Sequence, residues 1–235
     1  VSTDPNSILS IQLVPPQLPS IVLGDSLHDT TGAVDSLHAT AYNAQGDSVP
    51  IAAIRFLMIA GRPVAHVDSV SGQVVGDSVG AARVLASVPG LQTLPQNLFV
   101  VLRPDSLTPL DSAHYAIDYN QGTGRDTLFP IRVVLKNFSP PDTTGIGPYR
   151  VQYQFTNTVP NNNNDPTQVQ LVNPALVPQL VDTTDASGQS TLSLRATLLA
   201  TAFNDTIGVS VFAYRPDHTP VPGSPVHFVI ALNIH

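Results

Sequence analysis

A chain of 235 residues, 42% hydrophobic and 11% charged, is long enough for one large or two ordinary cores and too apolar for a disordered segment. Its formal net charge of −7 argues against a nucleic acid or an anionic membrane surface as partner, and the absence of cysteine excludes a thiolate nucleophile, disulfides and cysteine-bound zinc. All 17 acidic residues are aspartate and nine of the ten basic ones are arginine, Lys136 being the exception, so the glutamate and lysine coat of exposed helices is missing beside 22 prolines and 15 glycines.

Alternation with a period of two residues marks the strands in chain order. Leu9, Ile11 and Leu13 share one face, then Leu37, Ala39 and Ala41, then Ile54, Phe56 and Met58, then Val84, Ala86 and Val88. The segment Tyr149 to Thr156 alternates without a fault, and Leu192 with Leu194, Val209 with Val211 and Ala213, and Phe228 with Ile230, Leu232 and Ile234 continue the pattern. Turn signals separate them at Asn43 to Gly46, Ser71-Gly72, Pro89-Gly90, Asn161 to Pro166 and Ser187-Gly188. Many short strands with no helical segment between them point to an all-β fold of two tandem immunoglobulin-like antiparallel β-sandwich domains.

Pro104, Pro109 and Gln121-Gly122-Thr123-Gly124 interrupt the strand pattern and set the expected division at 1–112, a connector at 113–124 and 125–235. Tyr115, Ile117 and Tyr119 alternate inside that connector, as a strand of either domain or a stiff link would. No apolar run approaches the roughly 20 residues that span a bilayer. The longest, Ile51 to Ala60, is broken by Arg55, so the chain is expected not to span a membrane itself. It opens at Val1 without methionine, which sets the expectation of an exported protein, periplasmic or at the cell surface, with its signal peptide removed.

Three segments carry a resemblance. Val67 to Gly76 followed by Val79 to Ala86 resembles bacterial immunoglobulin-like repeats, in which an aspartate and glycine turn precedes a strand and a glycine-led strand follows. Thr184 to Leu192 looks like the corresponding turn and strand of the invasin and intimin class, and Val221 to Phe228 is similar to the last strand of filamin-type repeats. The resemblance implies a stalk, spacer or docking domain on an exported protein, with no family active site to carry over.

Four groups of residues could carry chemistry. Gly24-Asp25-Ser26-Leu27 spells the nucleophile block of the GDSL hydrolases, and Asp111-Ser112-Ala113-His114 has the spacing of their late Asp-x-x-His pair. Gly-Asp-Ser recurs at Gly46 and Gly76, however, and a motif repeated this often is turn chemistry. Asp25-Ser26-Leu27-His28 repeats as Asp35-Ser36-Leu37-His38, which offers two imidazoles and two carboxylates to a zinc or copper ion, or else a loop leading into a strand. Asp182, Asp185 and the run Asn161 to Asp165 could supply oxygen ligands to calcium, although no glutamate exists to close such a site. Tyr42, Tyr115, Tyr119, Tyr149, Tyr153 and Tyr214 could form a sugar platform if several share an exposed face.

The expectation drawn from these readings is a non-catalytic structural or protein-interaction protein without assigned catalytic, cofactor or metal residues. It is either an accessory subunit docked on the extracytoplasmic face of a membrane-associated assembly or a cell-surface adhesion or fibre module. Protein subunits are its expected partners, with self-association through Ser7 to Val14 or Val226 to Ile234 as a route to fibres.

Overall fold

In the computed structural model, residues 7–50, 52–59, 64–119, 127–139, 142–156, 169–196 and 204–234 are described, and no helix occurs among them. The chain divides into two compact units, Val1–Arg103 with Pro216–His218, and Pro104–Arg215 with Thr219–His235.

The first unit holds β1 (Ser10–Val14), β2 (Ser20–Val22), β3 (His38–Tyr42), β4 (Arg55–Met58), β5 (Ala65–Val67), β6 (Val74–Gly76), β7 (Gly80–Val88), β8 (Leu91–Gln92) and β9 (Gln96–Val101). One sheet runs β2-β9-β7-β4 with β8 on β7, while β1 pairs with β3 and β5 with β6. Leu13, Ile21, Leu37, Phe56, Val74, Val84, Ala86, Leu98 and Val100 bring both sets of strands onto one core. Leu13, Leu37, Phe56, Val84 and Ala86 are inward as the alternation marks, because a half-buried strand places every second side chain on the dry face, whereas Leu9, marked with them, is exposed.

The second unit holds β10 (Ser106–Pro109), β11 (His114–Tyr119), β12 (Thr127–Ser139), β13 (Asp142–Gly145), β14 (Arg150–Phe155), β15 (Val169–Val172), β16 (Val181–Thr183), β17 (Gln189–Ala196), β18 (Asn204–Phe212) and β19 (Val226–Ile234). Its two sheets run β10-β12-β17-β15, with β13 on β12, and β11-β19-β18-β14-β16. Ile131, Val133, Leu192 and Leu194 from the first sheet and Val151, Tyr153, Val209, Val211, Phe228 and Ile230 from the second are all buried. Two stacked sheets with largely apolar inner faces are the immunoglobulin-like sandwich.

The all-β sandwich fold is as expected, and the strand pairing adds two details to it. The division falls between Arg103 and Pro104, not within 113–124. The physical reason is pairing: β10 lies antiparallel to β12 from Ser106↔Lys136 to Pro109↔Val133, and β11 lies beside β19 from His114↔Val229 to Tyr119↔Ile234. The segment 113–119 is therefore a strand of the second unit, while Gln121 to Gly124 lie outside the described residues. The sheets are also not wholly antiparallel, since β2 runs parallel to β9 and β11 parallel to β19. In each unit the early strand meets a late one after the chain has traversed the sandwich, so the parallel pair needs no helical crossover.

Candidate functional site

The ionisable groups are best understood from the turns that hold them. Asp185 Oδ1 accepts from Ser187 N at 2.8 Å, Ser187 Oγ at 2.7 Å and Gln189 N at 3.0 Å. Asp29 does the same with Thr31 N, Thr31 Oγ1 and Ala33 N, and Asn43 and Asn173 each accept from the amides two and four residues on. Each of these turns closes with the amide of the first residue donating to the carbonyl of the fifth. The fourth residue sits at positive φ in all four: Gly32, Gly46, Gly188 and Leu176. This is a type I turn followed by a residue in the left-handed region, built here on an Asx side chain. Asp68 accepts in a similar way from Val70 N, Ser71 N and Ser71 Oγ.

These donors favour the carboxylate form. The Ser187 hydroxyl holds Asp185 below its ordinary value, the Thr31 hydroxyl does so for Asp29, and the Ser71 amide does so for Asp68. Asp185, one of the calcium candidates, is thus occupied by its own turn. Asp182, another, accepts from Ser190 Oγ at 2.8 Å and Thr191 N at 3.0 Å. The run Asn161 to Asp165 lies outside the described residues. Among the described residues no group of three or more histidine or aspartate side chains is placed to hold a metal ion.

The repeated Asp-Ser-Leu-His segments fold the same way twice. In each, the aspartate Oδ1 accepts from the next amide at 2.8 Å and lies near the histidine Nε2 three residues on, at 3.2 Å for Asp25 and His28 and 3.0 Å for Asp35 and His38. Leu27 and Leu37 point into the core. His28 also donates from Nδ1 to the Gly32 carbonyl at 3.1 Å. Both His28 ring nitrogens therefore face acceptors, and neither is aimed at a serine hydroxyl. Asp111 does not orient His114 but accepts from Arg132 Nε at 2.6 Å, and the Ser112 hydroxyl donates to the His114 carbonyl at 2.9 Å. Ser26 and the pair Asp111 and His114 belong to different units.

Three of the tyrosines are engaged in hydrogen bonds or ring packing. Tyr153 is buried with its hydroxyl 2.8 Å from Ser190 Oγ, Tyr149 donates to the Tyr214 carbonyl at 2.7 Å, and Tyr115 packs edge-on against Phe129 with centroids 4.2 Å apart. Burial raises the phenols of Tyr153 and Tyr115 above their ordinary value. The side chain of Tyr119 lies outside the described residues.

Three arrangements have no counterpart in the sequence reading. Tyr153, Ser190 and Asp182 form a chain of hydrogen bonds that ties β14 and β16 of one sheet to β17 of the other. Ser210 Oγ lies 2.7 Å from His227 Nδ1, a nucleophile and base pair in form, but Ser210 is only 1% exposed and the two are direct cross-strand neighbours. Its geometry is that of a strand tie, with no room for a substrate at the hydroxyl. Arg150, on the outward face of β14, has the Gln152 side-chain oxygen as its neighbour at 2.9 Å from Nη2, in the amide orientation that satisfies both groups.

Two helix-free sandwiches whose carboxylates close turns define an immunoglobulin-like β-sandwich chain. No family model matches the sequence, and no curated protein matches it. Among solved structures the chain is similar to domains 4 and 5 of the S-layer protein SbsC, at 14% identity over 97% of this chain and 98% of that one, with a TM-score of 0.32. It is also similar to the Yersinia pseudotuberculosis adhesin InvE, at 15% identity over 94% and 58% with a TM-score of 0.31. Fibronectin(III)-like modules of Clostridium thermocellum CbhA match at 11% identity over 96% and 95%, with a TM-score of 0.33. The fold assignment rests on the strand pairing above and not on these likenesses. No helix among the described residues is long and apolar enough to cross a membrane.

Proposed function

We propose that this chain is a non-catalytic interaction module of an exported assembly, either an accessory subunit docked on the extracytoplasmic face of a membrane-associated complex or a cell-surface adhesion or fibre module. The observation that carries the reading is the fate of the reactive residues. The candidate carboxylates Asp25, Asp111, Asp182 and Asp185 and the His28 imidazole are committed to turns and ties, and Ser26 lies in a different unit from Asp111 and His114, which leaves the sheet faces to do the work. Faces carrying threonine, glutamine and valine dock on a partner at low desolvation cost. The reading assigns no catalytic, cofactor or metal residue.

The test is purification of the native protein in mild detergent, followed by size exclusion and mass spectrometry of whatever migrates with it. Stoichiometric companion subunits favour the accessory role, and large homopolymers favour the fibre. A lone monomer, or stoichiometric labelling of Ser26 by a fluorophosphonate probe, overturns the reading.

A further inference from the structure

The outward face of β16, β14 and β18 combines features that a purely structural sheet does not need. Alternation places Val151 and Tyr153 of β14 in the core, so Arg150 and Gln152 point outward, and across β18 Phe212 does the same opposite Gln152. Beyond Gln152 and Arg150, on the other side, stand Val181 and Thr183 of β16. Phe212 and Tyr214 present parallel ring planes with centroids 6.2 Å apart. In the rows formed by Val181, Gln152 and Phe212 and by Thr183 and Arg150, Arg150 is the one ionised side chain.

That guanidinium is half-buried and has no carboxylate partner among the described residues, in contrast to Arg132 with Asp111 and Arg215 with Asp105. Desolvation lowers its proton affinity with nothing acidic to offset it. Of its five N–H donors, the Gln152 oxygen engages the terminal nitrogens and leaves the rest of the fork open. A partly desolvated guanidinium gains most from a carboxylate, which it takes in a planar, charge-assisted geometry.

The strand beside it is also open. Among the described residues β16 is the end of its sheet, and no described strand pairs with it on the side away from β14. Leu180 and Val181, at that edge, are 53% and 40% exposed. The segment 173–181 contains no charged residue, and the carboxylate of β16 itself, Asp182, is turned inward and bonded to Ser190 Oγ.

We propose that this face is a docking surface for an extended segment of a partner protein that adds to the β16 edge and brings an aspartate or glutamate, set between apolar residues, to Arg150. The edge supplies backbone pairing, Leu180 and Val181 the apolar contact, and Arg150 the selectivity for a carboxylate. The proposal names the partner chemistry of the interaction module inferred above and rests on that reading.

A phage-displayed library of random twelve-residue peptides, panned on the full chain and on its Arg150→Gln variant, tests it. On the native chain the enriched peptides should share a carboxylate flanked by apolar residues, and synthetic versions should bind at least tenfold more tightly than their amide counterparts. Arg150→Gln should abolish that tenfold difference. Leu180→Asp, at an exposed position, should weaken binding to a similar degree by placing a carboxylate of the chain's own at the edge. Enrichment without a shared carboxylate, equal binding to both variants, no enrichment above background, or displacement by a uronic-acid oligosaccharide in place of a peptide would overturn it. Companion subunits that survive Arg150→Gln would sink this surface and leave the interaction-module reading standing. A native chain without companions would sink that reading, while the library still reports on Arg150.

Discussion

Tyr153→Phe and Ser190→Ala delete the same hydrogen bond and should cost different amounts. The Ser190 hydroxyl donates to Asp182 Oδ2 at 2.8 Å, so it receives the Tyr153 proton across the 2.8 Å contact. Both residues are buried, at 2% and 1% exposure. Phenylalanine removes one neutral bond and leaves Ser190 bonded to Asp182, a loss of about 0.5–1.5 kcal/mol. Alanine at 190 strands the buried phenol proton and takes a donor from a carboxylate, which together cost about 2–4 kcal/mol. In the double variant no phenol is stranded, so it should be about 1 kcal/mol more stable than Ser190→Ala alone. The two units need not unfold together, so the readout is urea-dependent hydrogen exchange at the β14 and β17 amides in the full chain. Alkaline pH supplies a second reading. Burial raises the Tyr153 phenol, so the native state holds a proton that the unfolded chain begins to release near pH 10. Stability of the second unit should therefore be present below that pH and fall as pH rises beyond it, less steeply in Tyr153→Phe. Equal costs for the two single variants, or additivity within about 0.5 kcal/mol, would refute the assignment of donor and acceptor.

The turns make three further predictions. A Cβ at Gly188 would lie 2.3 Å from the Leu135 carbonyl oxygen and 2.7 Å from the Ile146 amide, whereas one at Gly46 would meet nothing within 4 Å. By thermal melts, Gly188→Ala should cost more than about 3 kcal/mol and Gly46→Ala only about 1 kcal/mol, although both sit at positive φ. Leu176 occupies the same turn position at φ 61° and is 44% exposed. Leu176→Asn should therefore raise stability by about 1 kcal/mol by placing a left-handed former there, and an unchanged or lower melting temperature would contradict the strain. Asp185, Asp29 and Asp68 are held below their ordinary value of 3.8, so their contribution is present above that pH and is lost as pH falls through the lowered values. Asp185→Asn keeps the turn's acceptor oxygen and should flatten the acid limb of a stability–pH curve, a result that an unchanged limb would deny.

What the sequence made legible was the inward face of each half-buried strand. Tyr149, Val151 and Tyr153, and likewise Val209, Val211 and Ala213, are buried as the alternation requires. It was less informative where a strand is buried on more than one side or meets a distant partner. In β12, Val133, Val134 and Leu135 are buried in succession, which erases the period of two, and Pro130 reads as a breaker. Proline is tolerated there because β10 pairs with β12 only from Val133 to Lys136, which leaves the edge beside Pro130 without a β10 partner. The parallel partner of β11 lies more than a hundred residues away, so the alternation of Tyr115 and Ile117 could suggest a strand but not its domain. The candidate chemistry was legible as turn grammar, since aspartate next to serine and glycine has a local meaning. The ties from Tyr153 to Ser190, Ser210 to His227 and Arg132 to Asp111 depend on register between strands, which no local pattern encodes.

The same turns bear on why the acidic residues are all aspartate. A turn of this kind needs an acceptor oxygen that reaches the amides two and four residues on, which the short Asp or Asn side chain does and the longer Glu chain does less well. A chain that uses carboxylates as turn fittings has reason to choose aspartate. Placing most of them outside the strands leaves many outward strand positions to threonine, glutamine and valine. Such a face is held in solution by its hydroxyls and amides and loses little when a partner covers it. Against that background a half-buried Arg150 without a carboxylate partner among the described residues stands out, and its desolvation is the cost that the proposed acidic partner would offset.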